Sequence, residues 1–295
     1  PSDESSLGFG RYSTDHIFKV DFEPDTGWHD ARIEPYGALH LDPATTVLHY
    51  AQEAFEGLKA YRGGEGGIYL FRYRDNIKRL LRSCERMCIP AFDEDLLADG
   101  IRRLVMLDKD WIPCEEGCSL YVRPNVIATD PYLGVRPSAT YLLYVMAGPV
   151  GAYYPEGFNP VSIYAADQYV RAVVGGTGAA KTARHYAASL AAQAEAAAKG
   201  FNQVLWLDAI ERKYVEEVGT MNMFFVFEGK VATSPLTGSV LPGITRDSVI
   251  RICRDWGYDV AERPITIDEE RNAIKPAVIL KVEDGKFAYV DMVSP

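Results

Sequence analysis

Hydrophobic positions recur with a period of two in some stretches of this chain and of three to four in others, and the changes of period outline its elements. Residues 66–73, GGIYLFRY, alternate large side chains between glycine boundaries and predict a strand, as does 37–45, GALHLDPAT. Residues 118–129 (CSLYVRPNVIAT) and 139–150 (ATYLLYVMAGPV) are rich in β-branched and aromatic residues, as buried strands are. Helical spacing takes over at 74–90, where Ile77, Leu80, Leu81 and Cys84 fall on one stripe and Pro90 ends the run, and again at 93–111. Residues 46–63 start helical and are broken by Gly57, Gly63 and Gly64.

The pattern changes after GPVGAYYPEGFNP, residues 148–160. A strand leads into a glycine-rich loop and an alanine-rich helix, 186–199, stopped by Gly200. Strand patterns follow at 202–209, 213–219 and 221–235, the last with a turn at Glu228-Gly229. A helix over 245–257 closes on Gly257, and 258–270 is strand-like again. The order predicts an α+β chain of two domains: 1–153 a small N-terminal α/β domain, 154–169 an interdomain connection, and 170–295 a larger domain built on β-strands with helices.

Composition narrows the function. With 295 residues, 47% of them hydrophobic and 24% charged, the chain has ordinary globular proportions and can bury a core without disulfides or metal. A net charge of −10 argues against a nucleic-acid partner, while small anions remain within reach of local arginines and helix ends. The start, PSDESSLGFGRYST, has no apolar signal, and TYLLYVMAGPVGAYY is too short and too broken by Gly and Pro to span a bilayer. A soluble, cytoplasmic protein with no membrane partner is expected. Cys84/Cys88 and Cys114/Cys118 have three-residue spacing, wider than most zinc knuckles. No metal is expected, and Cys84 and Cys88 read instead as one face of an amphipathic helix, with reduced thiols.

The candidate chemistry lies in VVGGTGAAKTARHY, residues 173–186. One substitution separates it from a phosphate-binding loop, but Ala180 stands where that loop needs glycine, and no strand ends in a lone Asp suited to magnesium. A plain surface lysine is the bland alternative. Against it stands the company: Arg171, Tyr186 and the acidic EEVGTMN segment, 216–222. A partly desolvated lysine near cations is a usable amine nucleophile. A phenol, a carboxylate and anion-binding groups are what an aldehyde cofactor with a phenolate, a pyridine nitrogen and a phosphate needs.

Nine segments in order carry a resemblance: LHYAQEAFEGLKAYRG, LFRYRDNIKRLLRSCERMCIP, LYVRP, YLGVRP, GPVGAYY, RAVVGGTGAAK, QVLWLD, EEVGTMN and LPGITRDS. The chain resembles the branched-chain-amino-acid aminotransferases, pyridoxal-phosphate enzymes of fold-type IV. The resemblance implies that Lys181 forms a Schiff base with pyridoxal 5'-phosphate and shuttles the proton between substrate and cofactor. By the same resemblance 170–295 is the cofactor-binding domain, Glu217 pairs with the pyridine nitrogen, and Tyr186 hydrogen-bonds the phenolate. Arg72, Thr220 and the backbone N–H groups of Ile244 and Thr245 hold the phosphate. The last two open a helix after LPG, where free donors and the dipole favour an anion, so sequence physics agrees there. Arg171 lies near the cofactor or forms a structural ion pair. Phe55, Tyr121 and Tyr153 line an apolar side-chain pocket, with Arg123 receiving the distal carboxylate of glutamate or 2-oxoglutarate. Tyr50 and the Leu133–Val135 loop enter from a second subunit, implying a homodimer with shared active sites. The implied reaction exchanges the amino group of L-leucine, L-isoleucine or L-valine with 2-oxoglutarate, in two half-reactions.

Two departures stand out. The family usually follows its lysine with Gly-Gly-Asn, whereas Thr182 here leads to Ala183, Arg184 and His185, which could reshape the loop or add charge. A late Gly-Thr-Ala segment is also missing from DEERNAIKPAVILKVEDGKFAYVDMVSP, 268–295. Either that wall of the pocket is lacking, or a late stretch and the C-terminal end are absent, which fits the way AVI resumes like the strand that normally follows. Another fold-type IV transaminase, for D- or aromatic amino acids, and a silent cofactor-binding homologue stay open alternatives.

Overall fold

A computed structural model describes residues 4, 6–64, 66–151, 160–227 and 229–267, and the backbone of 277–283 and 286–293. The chain forms two compact units: Pro1–Gly157 with Ala180–Ala183, and Phe158–Ala179 with Arg184–Pro295.

In the first unit the elements run β1 (His16–Glu23), β2 (Gly27–Pro35), α1 (Thr46–Tyr50), β3 (Glu53–Phe55), β4 (Leu58–Arg62), β5 (Ile68–Leu70), α2 (Tyr73–Arg86), α3 (Glu94–Leu107), β6 (Ser119–Ala128) and β7 (Tyr141–Val150). The strands form one seven-stranded antiparallel sheet, β2-β1-β7-β6-β4-β5, with β3 also on β6. Strand β6 organises it. Leu120, Val122 and Val126 enter the core beneath α2 and α3, where Ile77, Leu80, Leu97, Ile101 and Leu104 meet them. Tyr121, Arg123 and Asn125 alternate with them and are only half-buried, so strand geometry presents a polar row on the opposite face. Pro124 has no N–H to give. Its partner strand is interrupted there, between β3 and β4, and its carbonyl is taken by the Glu56 N–H at 2.8 Å.

Two expectations fail here. Residues 37–45 form no strand: Asp42 folds the chain into a turn, its Oδ1 accepting from the Ala44 N–H at 2.7 Å and its carbonyl from the Thr45 N–H at 2.9 Å. Cys84 and Cys88 do not share a helix face. Helix α2 ends at Arg86, and Cys88 takes φ 56° while its N–H reaches the Glu85 carbonyl and that of Ile89 reaches Cys84. That is the helix-ending pattern usually built on glycine. Cys84 is buried, and burial pushes its thiol up to about 12, whereas Cys88 is exposed.

The second unit continues with β8 (Ile163–Ala165), α4 (Ala183–Ala198), β9 (Gln203–Leu207), β10 (Val215–Val218), β11 (Phe224–Phe227), β12 (Lys230–Thr233), α5 (Ile244–Asp255), β13 (Val260–Glu262) and the hairpin β14 (Ala277–Glu283) and β15 (Lys286–Val293). Two parallel pairs, β8 with β9 and β12 with β13, bracket crossovers that contain α4 and α5. Ala192 and Ala196 of α4 pack on Val204 and Trp206, whose indole N–H donates to the Gly219 carbonyl at 2.8 Å. Gly200 and Gly257, at φ 82°, end α4 and α5 as their sequence positions predict. A register shift against β9 makes Glu216 an extra residue in β10, and all four residues of that strand are buried.

Candidate active site

Lys181 belongs to the first unit, in the segment Ala180–Ala183, although the chain on either side of it belongs to the second. Its backbone lies beside β3: the Phe55 N–H donates to the Lys181 carbonyl at 3.0 Å, and the Lys181 N–H donates to Ser83 Oγ at 2.9 Å. The second bond uses a backbone N–H of the kind that a phosphate loop would turn toward its ligand. The residue is half-buried by surface, but protein atoms crowd the amine, which sits 4.8 Å from the centroid of the Phe55 ring. Burial is the largest influence and holds the amine below its ordinary pKa; Glu56 and Tyr121 oppose this, and Arg79 and Arg123 reinforce it. The result is an amine that gives up its proton readily.

Phe55, Tyr121 and Arg123 gather around that amine. The Arg123 guanidinium lies 4.6 Å from the Phe55 centroid and donates to the Tyr121 hydroxyl at 3.1 Å. Gly57 is required by this arrangement, because a Cβ there would collide with the Tyr121 hydroxyl. Sequence reasoning did not single out the rest of the row. Asn125 donates to the Tyr144 hydroxyl at 2.7 Å, and Glu53, raised above its usual pKa by burial, lies near Asn125 and Arg123. Their signal was the alternation Tyr121, Arg123, Asn125 along β6.

Within the second unit, Glu217 is the centre. It is 3% exposed; Arg171 Nε stands 2.7 Å from its Oε2, in an ion pair whose N–H is not aligned as a hydrogen bond. Its Oε1 accepts from the Leu241 N–H at 2.8 Å and from Asn222 Nδ2 at 3.2 Å. Arg171 is anchored in turn by the carbonyls of Gly178 and Ser239, and Gly178 must be glycine because a Cβ would strike Ser239. A small cavity is lined by Arg171, His185, Tyr186, Glu217, Thr220 and Leu241, among others. Four of the sequence-predicted residues therefore converge: Arg171, Tyr186, Glu217 and Thr220. The neighbouring Glu216 lines a different, more apolar cleft with Val174, Ile210, Tyr214 and Val240.

His185, one of the departures from the family pattern, proves to be a clasp on the loop before the lysine. It is buried; Nδ1 lies 3.1 Å from the Arg171 carbonyl, and Nε2 lies 2.8 Å from the Thr177 carbonyl and 2.9 Å from Thr177 Oγ1. Arg184, beside it, is exposed.

The remaining predicted residues belong to neither cluster. Arg72, with φ 45° at the start of α2, is held by Asp75 at 2.8 Å. Ile244 and Thr245 open α5, with Gly243 as the residue before it. Tyr50 donates to the Leu133 carbonyl, and Leu133 and Val135 are 58% and 85% exposed. Tyr153 and the stretch 268–276, where the Gly-Thr-Ala departure falls, lie outside the described residues.

The chain belongs to the amino-transferase class IV family, whose model matches residues 53–278. Among its relatives, branched-chain-amino-acid transaminase 1 of Bacillus subtilis (strain 168) is 56% identical over 268 residues, 90% of this chain and 75% of that protein. The branched-chain aminotransferase from the thermophilic archaeon Thermoproteus uzoniensis, solved with norvaline, superposes with a TM-score of 0.76 at 26% identity, over 95% of this chain and 86% of that one. The T.th. branched-chain amino acid aminotransferase, solved with pyridoxamine 5'-phosphate, gives 0.71 at 28%, over 86% and 78%. The fold is that of the fold-type IV aminotransferases. The donor set here fits pyridoxal 5'-phosphate: a lysine amine held low by burial can meet its aldehyde, and a buried carboxylate beside an arginine can face its ring nitrogen.

Proposed function

We propose that this protein transfers the amino group of L-leucine, L-isoleucine and L-valine to 2-oxoglutarate, giving the branched 2-oxo acids and L-glutamate, with pyridoxal 5'-phosphate as cofactor. The observation that carries the reading is Lys181: a buried amine framed by Phe55, Tyr121 and Arg123, in a chain 56% identical to a named branched-chain transaminase. When bound, the cofactor supplies an aldehyde carbon and an electron-withdrawing ring. Lys181, its proton loosened by burial, would hold the cofactor through that carbon and would take and return the substrate Cα proton. Glu217 would carry negative charge toward the ring nitrogen, with Arg171 as its ion-pair partner. Tyr186 serves the phenolate oxygen, and Arg72, Thr220 and the N–H groups of Ile244 and Thr245 serve the phosphate.

Substrate recognition divides in the same way. Phe55 and Tyr121 supply the apolar pocket for a branched side chain, and Arg123 receives the second carboxylate of the acidic partner. Tyr50, Leu133 and Val135 complete the pocket of a neighbouring copy, so the working form is a homodimer, acting in the cytoplasm. The test is glutamate formation from 2-oxoglutarate with each amino acid in turn. Turnover with the three branched L-amino acids is expected; turnover with D-alanine or aromatic amino acids instead moves the substrate reading to another member of the fold, and none at all marks a silent homologue.

A further inference from the structure

Helix α2 buries an unusual polar stripe. Asn76, Arg79 and Ser83, three and four residues apart and hence on one face, are 4%, 6% and 1% exposed. Asn76 and Arg79 converge on Glu56, which is fully buried: its carboxylate accepts from Arg79 Nε at 2.6 Å and Nη2 at 2.9 Å, from Asn76 Nδ2 at 2.8 Å and from the Gly57 N–H at 3.0 Å. Both ends of the group lead to the lysine. Phe55, the residue before Glu56, donates its N–H to the Lys181 carbonyl, while Ser83, one turn beyond Arg79, accepts the Lys181 N–H. The Ser83 hydroxyl hydrogen goes to the Arg79 carbonyl at 3.0 Å, so one hydroxyl links helix and lysine.

Stability does not account for this arrangement. Desolvating two charges costs about as much as their attraction returns, and well-packed apolar replacements for such pairs are often neutral or stabilising. Among the described residues, the charged and titratable groups that act on the amine include Glu56, Arg79, Tyr121 and Arg123, from the β3–β4 turn, α2 and β6. Of these, Arg79 and Arg123 are cations and Glu56 alone is a carboxylate.

We propose that the Glu56–Arg79 pair is a positioning device for Lys181: it fixes the lysine backbone from both sides and supplies the negative charge that offsets the two guanidiniums acting on the amine. The inference rests on the reading of Lys181 as the reactive amine. Glu56 and Arg79 act through the lysine and touch no reacting atom. Because their charges oppose, removing each moves the amine's proton equilibrium in opposite directions, which a merely structural pair would not do.

The experiment uses the cofactor-free protein and measures the rate of Lys181 acetylation by acetic anhydride across pH, read by mass spectrometry of the Lys181 peptide. In Glu56→Gln the midpoint is expected to fall by about one unit or more, and in Arg79→Gln to rise. Circular dichroism shows whether each variant is folded, and if Glu56→Gln is not, the upward shift in Arg79→Gln carries the test. Unchanged midpoints in folded variants, or shifts of the same sign, overturn the proposal. A separate control isolates the underlying reading: borohydride reduction of wild-type protein with pyridoxal 5'-phosphate must label Lys181, and labelling elsewhere sinks that reading whatever the acetylation profiles show.

Discussion

The Arg171 guanidinium stands 2.7 Å from the Glu217 carboxylate, with the two side chains 9% and 3% exposed. A buried carboxylate is favoured in its charged form by such a partner, and under the proposed function that charge would face a cationic ring nitrogen. Of the two readings of Arg171, the structure shows the ion pair. Arg171→Met removes the ion-pair partner of a buried carboxylate and is expected to cost about 3–5 kcal/mol in urea unfolding of the cofactor-free protein. Unfolding curves that coincide with wild type would remove the pair from this role.

Lys181 works against the stability of its own fold. Its pKa is depressed by burial, so between that lowered value and its ordinary value near 10.5 the unfolded chain binds a proton that the folded chain does not, and stability rises with pH across the window. Below the window the full cost of burying the amine is present. Lys181→Met is therefore expected to melt higher than wild type at neutral pH in the cofactor-free state, with the gap closing as the pH approaches 10.5. A gap that is constant with pH would mean that the amine is solvated.

His185 gives a second pH signature. Burial, reinforced by Arg171 and Arg184, lowers its pKa, so stability is lost as the pH falls through the ordinary histidine value of 6.5 toward the lowered one. His185→Gln is expected to cost on the order of 1 kcal/mol at pH 7, where it loosens the clasp of the neutral ring, whose Nδ1–H can donate to the Arg171 carbonyl while Nε2 accepts from Thr177 Oγ1, and to flatten the loss between pH 7 and pH 5. Equal acid sensitivity of the two proteins would assign the effect to other groups.

Leu133 and Val135 present large apolar surface on a loop tied to Tyr50. If that loop completes a neighbouring copy's pocket, Val135→Glu lowers transamination at least tenfold and raises KM for branched substrates, and sedimentation shows whether the dimer survives. Full activity in a monomeric Val135→Glu protein would contradict the shared site.

What the sequence disclosed follows from how local each signal is. Gly200 and Gly257 announce helix ends because glycine alone takes φ near 80° without cost. Cys88 does the same job at φ 56° without that signature, so the sequence carries α2 on to Pro90 although it ends at Arg86. Hairpin β1–β2 went unread because β2 has no buried residue and so no hydrophobic alternation to reveal it. Leu39 and Leu41 mimic a strand, but Asp42 and Pro43 turn the chain. In the site, family motifs singled out Phe55, Tyr121, Arg123 and Lys181, and Arg171, Tyr186, Glu217 and Thr220. Glu56, Arg79, Ser83 and Asn125 have roles that exist only once distant segments meet, with Ser83 lying 98 positions from the lysine it holds.

The visible spectrum of the purified protein with pyridoxal 5'-phosphate, before and after L-leucine, tests the central claim most directly. A band is expected that L-leucine converts to that of the pyridoxamine form, that 2-oxoglutarate restores, and that Lys181→Ala abolishes. A wild-type protein that takes up no cofactor, or whose band is unmoved by L-leucine, would contradict it.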